Sequence, residues 1–313
     1  MHQKYIYSNL IGTFVFNEHF KIINRVLFRN IEEYNNKEKF EKVLTKRYKN
    51  LKKPEGKELI KILELFKKKE FFSEFYVKNL ILTKKKIKDS VKDDTLIIQT
   101  INNIEDIDKV INILTKNLRE WYELYNPEFS KSVENHEKFT ELILKKPKKE
   151  LLKEINKQDS MGADFSKENL EPVLNLAKQI NNLYLLRKKQ EDYLEGLMKK
   201  ICPNLTAVTG ISIGAKLLQH AGSLERLIYF PASTIQLLGA EKALFRHMKT
   251  GAKPPRHGII VQHPLISGAP QKMHGKIARA LADKISIAVK VDYFKGKFIG
   301  DELRKGLEEK FKK

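Results

Sequence analysis

The 313 residues include 60 Lys and Arg against 39 Asp and Glu, a formal net charge of +21, and 41% of them are hydrophobic. That length suggests about two domains, or three if one is elongated, and the apolar content excludes wholesale disorder. A lone Cys202 excludes an internal disulfide framework and a thiolate zinc site within one chain.

No apolar run approaches the roughly 20 residues that span a bilayer. The N-terminal MHQKYIYSNL holds no uninterrupted apolar core of the signal-peptide type. The expectation is a soluble intracellular protein with a polyanionic partner. Charged residues reach 32%, which long solvated helices accommodate better than one compact ball.

Along the chain, apolar and polar residues first alternate in two pieces, Lys4 to Phe16 and Lys21 to Phe28, with Asn17-Glu18-His19 as a turn between them. This predicts a small β-hairpin or short sheet. From Ile31 the pattern is helical. Leu59, Ile62, Leu63 and Phe66 form an amphipathic stripe, and Phe71, Phe72, Phe75 and Tyr76 add aromatic bulk. Thr95 to Tyr125 predicts a long helix with sustained three-to-four spacing, ending near Pro127.

In the middle, Phe139 to Ile155 predicts a charged helix that Pro147 bends or interrupts, and Asp159 to Asp164 predicts a turn. A second helix begins at the Ser166 N-cap and runs through Leu170, Val173, Ala177, Ile180, Leu183, Leu186, Leu194, Leu197 and Ile201. That stripe is close to a heptad repeat, broken at Gln190. Two such antiparallel helices read as a coiled-coil arm of about 50 Å. An ordinary helical bundle is the alternative. Leu205 to His220 is predicted helical and rich in small residues. Short segments punctuated by Gly and Pro follow, and two helices, His274 to Val291 and Gly300 to Lys312, end a compact helical domain.

Charge is unevenly spread. Residues 1–115 carry 24 basic and 16 acidic side chains, residues 116–200 carry 17 and 15, and residues 201–313 carry 19 and 8. A lysine-rich genome biases a whole chain, so it does not explain a balanced middle beside a basic end. The last third is therefore expected to bind an anion.

Catalytic motifs are lacking. Gly210-Ile-Ser-Ile-Gly-Ala-Lys216 has too few residues between its glycines for a phosphate loop, and Leu217 replaces the metal-binding hydroxyl. No dinucleotide fingerprint, His pair at ligand spacing or nucleophile elbow appears. His257, His263 and His274 lie on or beside loops, where a metal site or polar contacts are both open readings.

Gln236 to His257 holds Lys242, Arg246, Lys249, Lys253 and Arg256 against one acid, Glu241. A helix beginning near Gly239 would project Lys242, Arg246 and Lys249 from one face, at spacing suited to a phosphate backbone. Ala243, Leu244 and Phe245 interleave groups able to stack on an unpaired base. A solvated helix with Phe245 in the core is the alternative.

These residues carry a resemblance. Gly239-Ala240-Glu241-Lys242, Ala243-Leu244-Phe245-Arg246 and Arg256-His257-Gly258 resemble the signature of the Nop-domain family. So do Cys202-Pro203-Asn204-Leu205-Thr206, His220-Ala-Gly-Ser-Leu224, Pro231-Ala-Ser-Thr234 and Lys290-Val-Asp-Tyr-Phe294. Upstream, Leu118-Arg-Glu-Trp-Tyr122 and Ser160-Met-Gly162 fit the same family. The resemblance covers essentially the whole chain. It is greatest to the archaeal scaffold of box C/D RNA-guided methylation particles, counterpart of the eukaryotic nucleolar pair.

The resemblance implies a mainly α fold: a small α+β N-terminal domain over residues 1–115, a long antiparallel coiled-coil middle over 116–200, and a compact all-α C-terminal Nop domain over 201–313. It further implies that the first domain binds fibrillarin, which uses S-adenosylmethionine, that the second pairs two copies as a self-dimer, and that the third binds kink-turn guide RNA together with a kink-turn-binding protein of the ribosomal type. Gly239, Ala240, Glu241 and Lys242 would meet the composite RNA–protein surface. Ala243, Leu244, Phe245 and Arg246 would sit beside nucleotides next to the kink. Lys249, Lys253 and Arg256 would reach phosphates, and His257 would pack at the junction. Arg279 and Lys290 are weaker candidates at matching helical positions.

Cys202 departs from the alanine usual in the family, where any small buried residue serves. Members often continue into a lysine-rich tail beyond the position where this sequence stops. The expected role is a non-catalytic scaffold, cytoplasmic in an archaeal cell and nucleolar in the eukaryotic counterparts, with no cofactor of its own. A spliceosomal-type Nop factor without fibrillarin, an RNA methyltransferase in its own right, and a general basic RNA chaperone are the alternatives.

Overall fold

The structure is a computed structural model that describes residues 3–48 and 50–311. The chain forms two compact units, residues 1–91 and 92–313. The architecture is mainly helical, with one small sheet confined to the first unit. Among the described residues, no helix is long and apolar enough to cross a membrane.

The first unit orders β1 (Lys4–Ser8), β2 (Gly12–Phe16), β3 (Ile22–Leu27), α1 (Ile31–Asn35), α2 (Lys37–Arg47), β4 (Leu51–Lys52), α3 (Lys57–Phe66) and α4 (Lys69–Ser90). The strands run β3-β2-β1-β4, antiparallel except for β4 against β1. The first alternating piece, Lys4 to Phe16, is itself a hairpin. Asn9 Oδ1 accepts from the Ile11 and Gly12 N–H groups and turns the chain among apolar neighbours. Gly12 is needed there, since a Cβ would lie 2.2 Å from the Val26 carbonyl oxygen. The second turn falls at Asn17, whose Oδ1 accepts from His19 N and Lys21 N. Central β2 is buried on both faces. Phe14 and Phe16 pack on Phe66, while Val15 packs with Leu44 of α2.

The second unit begins with α5 (Asp93–Glu123), α6 (Pro127–Ser132), α7 (His136–Lys145), α8 (Lys148–Glu154) and α9 (Lys167–Ile201). Ser166 caps α9 as its residue type requires, accepting from Asn169 N at 3.3 Å. Its 35 residues make a rod of about 50 Å. The antiparallel partner of α9 is α5, not the segment around Phe139. That segment is broken at Pro147 into α7 and α8, which close the tip of the rod. The stripe on α9 is interrupted: Val173, Ala177 and Ile180 are buried, as are Leu194 and Met198, while Leu186 is exposed.

The remaining elements are α10 (Pro203–Thr209), α11 (Ile211–Ala221), α12 (Leu224–Tyr229), α13 (Ala232–Leu237), α14 (Glu241–Thr250), a 3-10 turn (Ile259–Gln262), α15 (Pro264–Ser267), α16 (Gln271–Tyr293) and α17 (Gly300–Phe311). Lys312, expected in the last helix, lies outside the described residues. The single helix expected over Leu205 to His220 is split at Gly210, whose φ of 78° is left-handed. Gly210 to Lys216 is therefore a helix break and first turn, and Lys216 pairs with Glu105 at 3.4 Å. Buried α16 residues Ile277, Leu281, Ile285 and Val289 form the centre of a core shared with the first half of α5 through Ile97, Ile101 and Ile104.

Candidate nucleic-acid interface

Helix α14 is built to stand clear of the core. Gly239 precedes it with φ 84°, and a Cβ there would lie 2.4 Å from Ile259 Cγ1. Glu241 Oε1 accepts from Gly239 N at 2.7 Å and lies 3.5 Å from His220 Nδ1. Burial opposes the ionised form, but the Gly239 and Glu241 N–H groups and His220 hold the Glu241 carboxyl below its usual range. At the other end Gly251, left-handed, donates to His247 O, and Thr250 Oγ1 donates to Arg246 O.

No residue of α14 is buried. Lys242, Arg246 and Lys249 are all exposed and share one face of about 60°. Phe245 flanks that row with 60% of its surface open, so it is not a core residue. Ala243 and Leu244 are half-buried on the inner side, behind the entry formed by Gly239 and half-buried Ala240.

The chain returns from α14 through exposed Lys253 and Arg256. Gly258 N donates to Gln236 O, Ile259 N donates to Leu238 O, each at 2.8 Å, and Gln236 Nε2 donates to Arg256 O at 2.6 Å. Gly258 is obligatory in this crossing, where a Cβ would lie 1.8 Å from Leu238 O. The crossing sets Arg256 and His257 beside the start of the excursion. His257 is half-buried with its ring 5.9 Å from that of His274. Burial, together with His274 and Arg256, holds His257 below the ordinary imidazole range.

His263 lies apart from that pair. Its Nδ1 accepts from Leu265 N at 3.2 Å, so Nε2 carries the proton and donates to Val208 O at 3.1 Å. Both ring nitrogens are occupied within the protein. Arg279 and Lys290 are exposed on α16, three turns apart on one face. They lie on the same helix as His274, beyond its first turn.

The profile of the Nop family, described as a snoRNA binding domain with fibrillarin, matches residues 103–313. The chain belongs to the Nop family. It is 44% identical over 258 residues to an uncharacterized NOP5 family protein of Methanocaldococcus jannaschii, covering 77% of this chain and 62% of that one. It is 38% identical over 217 residues to nucleolar protein 58 of Schizosaccharomyces pombe, covering 64% of this chain and 43% of that one. The chain thus spans less than two thirds of the length of these curated relatives. A crystal structure of a fibrillarin/Nop5p complex holds a chain aligned over 98% of both chains, at 25% identity and a TM-score of 0.47.

Within the Nop signature, the sequence did not separate binding residues from structural ones. Asp292 of the Lys290-to-Phe294 motif is buried, and its carboxylate accepts from Asn204 N, Asn204 Nδ2 and Leu205 N at 3.0, 2.7 and 2.8 Å. Burial pushes the Asp292 carboxyl up, and these three donors pull against it. Asn204 Oδ1 in turn accepts from Ile299 N at 2.7 Å. One side-chain pair thereby fastens α10, α16 and the entry to α17.

Arg119 is the same kind of residue. It donates to Ser130 O and Val133 O at 2.6 Å and lies 4.3 Å from the centre of the Phe139 ring, joining α5 to α6 and α7. Glu128 receives Ser160 Oγ and Met161 N at 2.6 and 2.7 Å and fixes the Ser-Met-Gly turn. Cys202 is fully buried at the helix junction. The signal that finds such residues is polarity at positions inside an otherwise apolar pattern, as in Cys202-Pro203-Asn204-Leu205.

Proposed function

We propose that this chain is the non-catalytic scaffold of a box C/D guide ribonucleoprotein. In this reading α14 and its return loop grip kink-turn RNA together with the kink-turn-binding protein. The observation that carries the reading is a projecting helix with no buried residue, whose three aligned cations flank an open Phe245. Membership of a family described by snoRNA binding and fibrillarin supports it.

The division of labour follows the three expected domains. The first domain, cut back to residues 1–91 because α5 belongs to the second compact unit, holds fibrillarin, which brings S-adenosylmethionine and performs 2'-O-methylation. Residues 116–200 pair two copies. Residues 201–313 bind the RNA and its first protein. An apolar row on the outer face of the rod favours pairing: Val110, Ile113 and Trp121 of α5 and Leu124 at its C-cap are each at least 40% exposed and lie within about 80° of one another around the helix.

The test is assembly with guide RNA, the kink-turn protein and fibrillarin, read by gel shift and by methylation. Lys242→Ala with Arg246→Ala is expected to weaken assembly on kink-turn RNA while fibrillarin still co-purifies. Methylation by the purified chain with S-adenosylmethionine in the absence of fibrillarin would overturn the proposal.

A further inference from the structure

Helix α16 carries the signature histidine contact at one end and a second, unassigned feature at the other. His274 in its first turn meets His257. Twenty residues on, about 30 Å away at 1.5 Å per residue, the helix runs into Phe294-Lys295-Gly296-Lys297-Phe298. Two phenylalanines flank two lysines, which in turn flank a glycine. Phe294 and Phe298 are 71% and 53% exposed. Among the described residues, neither lysine enters an ion pair.

The loop is held open by its ends. Gly296 N donates to Val291 O at 2.9 Å, closing the C-terminus of α16, and Ile299 N donates to Asn204 Oδ1 at 2.7 Å. Lys295 therefore sits in the left-handed region, φ 53°, at a position where glycine is the usual occupant. Lysine there bears a conformational cost that glycine would not. Lys295, Gly296 and Phe298 also wall a cleft of about 450 Å³ beside Tyr293 and Lys200.

The face of α16 leading to the loop is basic. Lys272, Lys276, Arg279 and Lys290 are exposed within a sector of about 60°, with Asp283 the single acid among them. Phe294 continues the same line.

We propose that the loop Phe294 to Phe298 is a second RNA site, taking an unpaired strand that leaves the α14 surface and runs along α16. Phe294 and Phe298 stack on bases, and Lys290, Lys295 and Lys297 contact the phosphates between them. The pairing of each exposed ring with a neighbouring cation favours nucleic acid over a protein partner. A stacking ring beside each cation matches the repeat of base and phosphate, whereas a protein-docking patch gathers apolar side chains and sheds lysine. The inference rests on the RNA-binding reading above.

The experiment compares three probes on the full chain: kink-turn RNA with its kink-turn protein, the same RNA with an unpaired oligouridine tail of about fifteen nucleotides, and bare oligouridine. The tail is expected to tighten binding. Phe294→Ala with Phe298→Ala abolishes that gain, about tenfold per stacked base, and leaves affinity for the tailless RNA unchanged. Lys295→Gly is expected to raise the melting temperature, weaken tail binding and lower the salt slope by about 0.7.

A tail gain that survives the double Phe variant overturns the inference, as does a wild type that gains nothing. Loss of kink-turn-protein binding in that variant also overturns it, by making the loop a protein contact. If the wild type ignores kink-turn RNA altogether, the function proposed above fails, and bare oligouridine then decides the loop alone.

Discussion

Asp292 and Lys242 both belong to the family signature, yet they are opposite kinds of residue. Asp292 is buried with three donors on its carboxylate, all of them from α10. Lys242 is exposed on a helix that buries nothing. A buried polar group is expensive to leave unpaired, so the first kind is held in place by the fold itself. Among the described residues, the second kind has no partner that would demand a cation, so its demand comes from outside.

That contrast is broken most readily at Asp292. Asp292→Ala strands three donors and is expected to cost about 3–5 kcal/mol in urea unfolding. A cost below about 1 kcal/mol would show that water replaces the carboxylate and that the lock is dispensable. Next comes Arg119→Ala at the rod tip, where hydrogen bonds to the Ser130 and Val133 carbonyls and a ring contact are lost. The expected cost is about 2–4 kcal/mol, read by the same unfolding curve and by faster hydrogen exchange in α6 and α7.

A smaller effect comes from pH. Burial holds His263 below its ordinary value of 6.5. The unfolded chain then binds the proton that the folded chain refuses, so stability falls as pH drops below about 6.5 and is regained above it. The unfolding free energy between pH 7 and pH 5 measures this, and a His263→Gln variant is expected to flatten the slope. Smallest is Lys242→Ala with Arg246→Ala, expected to move stability by no more than about 0.5 kcal/mol in thermal melts while RNA assembly suffers. A large loss of stability there would erase the distinction between the two kinds.

Periodicity made the long helices legible. The Thr95-to-Tyr125 pattern corresponds to α5, and Ser166 marks the start of α9, because sustained three-to-four spacing over eight turns admits no other element. Pairing was not legible, since the stripe of α9 fits either α5 or the segment around Phe139, and only Pro147 with the short loops at the tip decides between them. The short sheet was expected, but its first turn was not placed, because Leu10 and Ile11 are apolar and the turn depends on the Asn9 side chain. In the candidate site, the row on α14 follows from spacing alone. The exposure of Phe245 does not, because an aromatic at helical spacing is equally at home in a core.

The crossing between Gln236–Leu238 and Arg256–Ile259 has a further consequence. Everything between those segments leaves and re-enters the domain at one point, tied at its neck and held beyond it by Glu241 against His220 and by half-buried Ala243 and Leu244. Such an excursion is a cassette. Its sequence can be exchanged between relatives, or rewritten by selection, with little threat to the folding of the domain that carries it. Recognition can drift here while the scaffold stays fixed, and grafting another relative's residues 239–257 onto this neck would transfer its preference without rebuilding its core.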